Sequence, residues 1–93
     1  MMEISDELWK EVGFVTSSTY RTKVLKSLDG EIKMPSEIAN DTGILVNHMS
    51  NTLRQLKEHE LVECLNPANK KGRLYRLTDK GEKVHDKLLG IHP

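Results

Sequence analysis

The chain has 93 residues and a mass of 10.6 kDa, which is enough for one small domain with a thin core. Apolar residues make up 37% of it and charged residues 30%, a balance typical of a globular domain and not of a disordered chain. No apolar run approaches the roughly 20 residues of a membrane span, and the start MMEISDELWK lacks a signal-peptide core. We therefore predict a cytoplasmic protein that folds as a single domain over residues 1–93 and has no membrane partner.

Two amphipathic helices are predicted first. The apolar face of the first helix is formed by Ile4, Leu8, Trp9 and Val12. We expect this helix to end at Gly13, and the serine pair Ser17 and Ser18 to cap a second helix. The inward face of the second helix is predicted to consist of Tyr20, Val24, Leu25 and Leu28.

A strand stub and two further helices follow. Residues 32–34 are long enough only for a short strand, after which Pro35 can occupy the first position of a short helix, with Glu37 in its first turn. Gly43 should break that helix. The next helix is predicted at about 45–59, where the apolar residues repeat at intervals of three and four: Val46, Met49, Leu53 and Leu56.

The hydrophobic period then changes to that of strands. Residues 61–65 and 74–77 are rich in β-formers, and the loop 66–73 between them, NPANKKGR, carries the turn residues of a long hairpin. Thr78 or Asp79 can cap a last helix, whose predicted inward residues are Val84, Leu88 and Ile91. This order predicts a mainly α fold with a small β-hairpin: a winged helix-turn-helix, with a three-helix core, a wing, and short N-terminal and C-terminal helices.

Charge is distributed unevenly along the chain. Residues 1–42 hold five basic and eight acidic side chains, a net charge of −3, whereas residues 43–76 hold six basic and three acidic ones, a net charge of +3. A positive pole in one continuous segment is what a polyanion-binding face would produce.

The run SEIANDTGILVNHMSNTLRQLKEHELVECLNPANKKGRLYRLTDKG resembles the winged helix-turn-helix of the MarR and ArsR families of prokaryotic regulators, and the resemblance covers roughly residues 17–89. Ala39 and Gly43 match the close-contact Ala and turn Gly of the motif. MSNTLRQLKEHELVE resembles the recognition helix leading into the first wing strand, and LYRLTDKG the second wing strand leading into the closing helix. The resemblance implies a DNA-binding transcription regulator, with helix 45–59 in the major groove and wing 66–73 on the backbone or in the minor groove.

This chain departs from the family pattern at three points. Leu45 stands where members usually carry a capping Ser or Thr. The wing lacks the acidic residue that many MarR-like wings place beside their arginine. The paired cysteines of metal-sensing ArsR proteins are absent, since Cys64 is the one cysteine.

Helical geometry identifies the side chains that could reach DNA. Asn47, Asn51 and Gln55 point away from the apolar face, with His48 and Arg54 beside them, and these types can pair with base edges. Ser50 and Thr52 lie on the flanks, where hydroxyls contact phosphate. The wing adds the basic side chains Lys70, Lys71 and Arg73. A polar helix face is often merely solvated, but residues 43–57 contain no acid, which favours DNA.

Other functions are less well supported. The four histidines and Cys64 have no metal-ligand spacing, and no nucleophile motif or phosphate loop is present, so we expect no metal, no cofactor and no enzymatic activity. A winged helix serving as a protein-interaction module is the alternative to DNA binding. A redox sensor acting through Cys64 is a third hypothesis, but strand alternation places that thiol on the inward face with Val62. We also expect a homodimer, because the terminal helices carry more apolar side chains than their own core needs.

Overall fold

In the computed structural model, which describes residues 2–91 and the side chains of residues 7–90, five helices and two strands form a mainly helical fold. In chain order the elements are α1 (Met2–Thr16), α2 (Thr19–Ser27), α3 (Pro35–Thr42), α4 (Val46–Glu58), β1 (Val62–Cys64), β2 (Tyr75–Leu77) and α5 (Asp79–Ile91). The predicted order is confirmed, and α4 falls within one residue of its predicted bounds at either end.

The helix boundaries follow from local chemistry. The Ser18 hydroxyl caps α2 by accepting a hydrogen bond from the Arg21 N–H at 3.2 Å, as predicted. Gly43 ends α3 in the left-handed conformation, with φ of 75°, which glycine adopts without a steric penalty. The Thr78 hydroxyl accepts from the Gly81 N–H at 3.0 Å and so caps α5.

The wing is a short antiparallel hairpin. Val62 pairs with Leu77 and Cys64 with Tyr75, while loop 66–73 connects the two strands. The predicted strand stub is present as a single bridge between Lys33 and Tyr75, held by two backbone hydrogen bonds of 2.9 and 3.0 Å. This bridge ties the wing to the segment between α2 and α3.

One core lies between the helices and the inner face of the hairpin. α1 packs on α5 and α2, and α4 packs on α2, α3 and β1. The buried apolar side chains are Val12, Val15, Val24, Leu25, Leu28, Ile38, Ile44, Met49, Leu53, Leu56, Leu61, Val62, Tyr75, Leu77, Val84 and Leu88. Within residues 2–91, no helix is both long enough and apolar enough to cross a membrane.

Three details of the predicted α1, α2 and α4 core positions and bounds are wrong. α1 does not end at Gly13 but continues to Thr16, because a single glycine weakens a helix without breaking it, and Val15 then enters the core. Tyr20 is 40% exposed instead of inward-facing. Val46 is exposed as well, because Ile44, in the turn before α4, is the residue that is buried at this end of the helix.

Candidate nucleic-acid interface

The exposed face of α4 presents a row of polar side chains. Met49, Leu53 and Leu56 are buried, so the opposite side of the helix faces solvent, where Asn47 and Asn51 lie exposed as predicted. The helix begins without a side-chain cap, because Leu45 at the N-cap position has no hydrogen-bonding group. The first N–H groups of α4 are therefore left without a partner from that side chain.

Thr52 does not belong to this face. It is only 4% exposed, and its hydroxyl donates to the carbonyl of His48 at 2.8 Å. The prediction that Thr52 contacts phosphate is therefore wrong, because its side chain does not reach the surface. On the helix surface Thr52 adjoins the buried positions Met49 and Leu56, one turn before and one turn after it, on a flank where α4 packs against its neighbours.

Gln55 is half-buried instead of exposed. Its side-chain oxygen accepts a hydrogen bond from Arg21 Nε at 3.0 Å, and a second Arg21 nitrogen donates to the carbonyl of Phe14 at 2.7 Å. Bidentate pairing with adenine requires both polar atoms of a glutamine amide, and Arg21 occupies one of them in Gln55. Gln55 therefore belongs to the contact between α2 and α4 and not to the exposed face.

His48 and Ser50 are exposed, on opposite flanks of α4. The His48 ring lies 5.3 Å from the ring of Tyr20, so that the start of α2 adjoins the polar face of α4. Sequence periodicity missed Tyr20 as a candidate surface residue, because Tyr20 lies four residues before the buried Val24, which is the spacing of a core position on a helix. Ser50 lies on the side of α4 that faces the wing.

The wing loop is organised by Asn66. Its side-chain oxygen accepts from the Leu74 N–H at 2.8 Å, and its nitrogen donates to the carbonyl of Gly72 at 3.1 Å. Gly72 supplies the turn with a φ of 67°. This ordered loop leaves Lys70 and Lys71 exposed at the surface.

A groove of about 450 Å³ separates α4 from the wing. It is lined by Pro35, Ser50, Leu53, Arg54, Lys57, Lys70, Gly72, Arg73 and Tyr75. Four of these nine residues are cations, drawn from two elements, and none of the nine is acidic. Lys57 was missed as a site residue; the absence of acid from residues 43–57 was the signal that could have identified it.

The cations of the groove differ in their partners. Arg54 forms an ion pair with Glu58 at 3.1 Å and hydrogen-bonds the Asn51 side chain, and Arg73 donates to the carbonyl of Asn69 at 2.7 Å. Among the described side chains, no ion-pair partner is found for the three groove or wing lysines, Lys57, Lys70 and Lys71. Their positive charge is therefore available to an anionic ligand.

A polar cluster fixes the far end of α4 to the terminal helices. The Glu11 carboxylate accepts from His59 Nδ1 at 2.8 Å and pairs with the Lys80 ammonium at 2.7 Å, while the His59 ring stacks on Phe14 with centroids 3.5 Å apart. Burial acts to raise the pKa of Glu11, but the hydrogen bonds and charges of Lys80 and His59 outweigh it, so that the pKa lies below its ordinary value. The cluster holds the direction of α4 relative to α1 and α5.

Cys64 is half-buried, not fully buried, and its thiol lies 3.6 Å from the side-chain oxygen of Asn66. In the described part of the chain, no group of three His, Cys, Asp or Glu side chains is arranged to hold a metal ion.

Comparison with known proteins identifies the class to which this fold belongs. No protein-family model matches the sequence, and no curated protein matches it significantly. Solved structures do match: the transcriptional repressor BigR of Xylella fastidiosa has a TM-score of 0.80 at 25% identity, covering 99% of this chain and 93% of BigR. The predicted winged helix-turn-helix fold is confirmed.

Two further structures represent the two families that the sequence resembles. Lactococcus lactis ZitR, a zinc-responsive MarR family member, has a TM-score of 0.68 at 24% identity over 81% of this chain and 53% of ZitR. Mb0332 of Mycobacterium bovis, a homodimeric winged helix-turn-helix DNA-binding domain and a possible ArsR-family regulator, has a TM-score of 0.67 at 22% identity over 97% of this chain and 82% of that domain. The predicted likeness to MarR and ArsR regulators is thus confirmed in the fold, and this chain spans about half the length of ZitR.

Proposed function

We propose that the protein binds double-stranded DNA in a sequence-specific manner and regulates transcription as a homodimer. The observation that carries the proposal is the groove between α4 and the wing, where Arg54, Lys57, Lys70 and Arg73 converge with no acidic residue in the lining. Neutralising phosphates at such a site releases condensed counterions, and this release supplies the sequence-independent part of the affinity for duplex DNA.

Within this interface, the two elements have different tasks. Asn47 lies exposed on α4, where an asparagine amide can pair with the N6 and N7 atoms of adenine. The exposed Asn51 can do the same once Arg54 releases its side-chain oxygen. Lys70 and Lys71 lie on the wing, where they can reach the backbone and contribute affinity without sequence preference. Arg54 can serve either task, once it exchanges Asn51 and Glu58 for DNA.

The experiment begins with selection of duplexes from a random pool by the full chain, followed by affinity measurements at several salt concentrations. Asn51→Ala should cost about 1–3 kcal/mol on the selected site and relax the preference at particular base pairs. Lys70→Ala should weaken binding to all duplexes alike and lower the slope of log affinity against log salt by about 0.9. Lys26→Ala, which removes the same charge from the exposed last turn of α2, away from the groove and the terminal helices, is the matched control and should leave that slope unchanged. A wild-type chain without salt-dependent duplex binding would refute the proposal.

The dimer would form through the terminal helices. Trp9 and Leu89 remain exposed there, with the Lys87 ammonium 5.8 Å from the Trp9 ring, whereas Val12 and Leu88 are buried in the protomer's own core. The side chains of Ile4 and Ile91, which we predicted on the apolar faces of the terminal helices, lie outside the described residues. A twofold axis beside these helices would set two copies of α4 about 34 Å apart, one turn of DNA. Sedimentation that shows only a 10.6 kDa species at high micromolar concentration would refute the dimer.

A protein-interaction module is the second candidate function. It is favoured by one observation, the exposure of the apolar side chains Leu45 and Val46 at the start of α4. A module of that kind would show no salt-dependent duplex binding, and Lys70→Ala would leave its partner's affinity unchanged unless the partner is acidic. The same duplex-selection experiment therefore separates the two functions.

A further inference from the structure

The start of α4 carries two exposed aliphatic side chains within an otherwise polar surface. Leu45 is 67% exposed and Val46 70% exposed, the largest fractions among the large hydrophobic residues in the described part of the chain. They adjoin each other and directly precede Asn47. No other described pair of neighbouring large hydrophobic residues is exposed to this degree.

Their exposure follows from the geometry of the turn. Ile44 is buried at this end of the helix, and Leu45 then adopts an extended conformation at the N-cap, with φ of −67° and ψ of 149°. Val46 is the first helical residue, and the next apolar position that reaches the core is Met49. A polar side chain at the N-cap would satisfy an N–H of the first turn, so a leucine there gives up a stabilising interaction.

The surroundings indicate what covers this pair. From Gly43 to Lys57 there is no acidic residue, and the cationic groove opens along the same helix. A duplex fits this charge. In helix-turn-helix proteins, the N-terminal residues of the recognition helix contact base edges in the major groove. The apolar group that the major groove offers is the C5-methyl of thymine.

We propose that Leu45 and Val46 contact thymine methyl groups, so that the start of α4 selects A·T base pairs. The inference rests on the proposed DNA-binding function and assigns to it a specificity element. Asn47 lies next to Val46 and can pair with adenine, so the two neighbours can recognise opposite strands of one or two A·T pairs.

The test removes the methyl group alone. In the duplex selected from the random pool, each thymine of a half-site is replaced in turn by deoxyuridine, which keeps every hydrogen-bonding group and lacks only the C5-methyl. At one or two positions the affinity of the full chain should fall about fourfold, the factor that corresponds to one buried methyl group. At the remaining positions it should not change.

Variants of the protein assign the contact. In Val46→Ala, the effect of deoxyuridine at one of the sensitive positions should disappear while the effect at any other remains. Ile32→Ala, which trims an exposed aliphatic residue outside α4, is the matched control and should keep the full deoxyuridine effect. Because both side chains are exposed, both variants should retain the wild-type melting temperature.

The outcomes are distinguishable. Tight binding of the selected duplex with no deoxyuridine effect at any position, or with an unchanged effect in both Leu45→Ala and Val46→Ala, overturns the inference and leaves the proposed function standing. A change of sedimentation behaviour in Val46→Ala would assign the pair to a protein contact and also overturn it. Absence of duplex binding by the wild type overturns the proposed function and the inference together.

Discussion

Replacing Gly81 by alanine should destabilise the fold, because no space exists for a β-carbon between α5 and the residue before β1. A Cβ built on Gly81 would lie 3.0 Å from the carbonyl carbon of Leu61 and well inside contact distance of the carbonyl oxygen. That oxygen already accepts the Thr78 N–H at 3.1 Å, and Leu61 itself is fully buried. The clash involves backbone, so a side-chain rotation cannot relieve it.

The magnitude follows from two opposing effects. Overpacking of a close contact costs about 1–3 kcal/mol, and the upper end applies here because α5 must shift as a unit. Alanine recovers up to about 1 kcal/mol of helix propensity relative to glycine. The free energy of unfolding of Gly81→Ala should therefore fall by about 2 kcal/mol, which corresponds to a melting temperature about 10 °C lower for a domain of this size.

Urea denaturation followed by circular dichroism, at one fixed protein concentration, measures this change. Gly13→Ala is the matched control: Gly13 lies within α1, and a β-carbon added there would meet no other atom within 4 Å. That variant should gain about 0.5–1 kcal/mol. If Gly81→Ala proves as stable as the wild type, the close approach of α5 to Leu61 is refuted.

Three further predictions concern single side chains. Cys64→Ser should leave DNA affinity nearly unchanged in reducing and oxidising buffers, because serine keeps a donor beside the wing loop; a loss of binding on peroxide treatment of the wild type that is absent in the variant would contradict this. Glu11→Gln should lower the melting temperature at pH 7, because the folded-state pKa of Glu11 lies below its ordinary value. The difference in melting temperature from the wild type should shrink as the pH falls below about 4.3, the ordinary pKa of a glutamate. A difference that is independent of pH would contradict the pairing of Glu11 with Lys80 and His59. Glu58→Gln should raise duplex affinity severalfold at low salt, because it removes an anion that competes with phosphate for Arg54, and reduced affinity would contradict the assigned role of that arginine.

The elements of the fold were predictable because their signals are local. Ser18, Pro35 and Gly43 act on the backbone within one turn of their own position, so their effects can be read from the sequence without knowledge of neighbours. The change from helical to alternating periodicity after His59 located the hairpin in the same way. The predicted helix at 45–59 and loop at 66–73 accordingly agree with the structure.

Gly81, the glycine in LYRLTDKG, shows where the information in the local sequence ends and that in the tertiary structure begins. The sequence places Gly81 near the start of a helix, where glycine is unfavourable, and gives no reason for it. The reason is the carbonyl of Leu61, a residue 20 positions earlier that only the tertiary fold brings into contact.

Tertiary packing decided which flank of α4 is exposed to solvent. Helical periodicity gives the direction of each side chain but not the width of the contact that neighbouring helices make, so it assigned Thr52 and Gln55 to the DNA face and Val46 to the core. In the folded chain, α2 contacts Gln55 through Arg21, and Ile44 is buried in place of Val46. The sequence by itself thus determined the elements, their order and the positive segment. The tertiary structure decided which side chains of that segment meet in one groove. The reason is that burial depends on the elements that pack against a helix as well as on the periodicity of the helix itself.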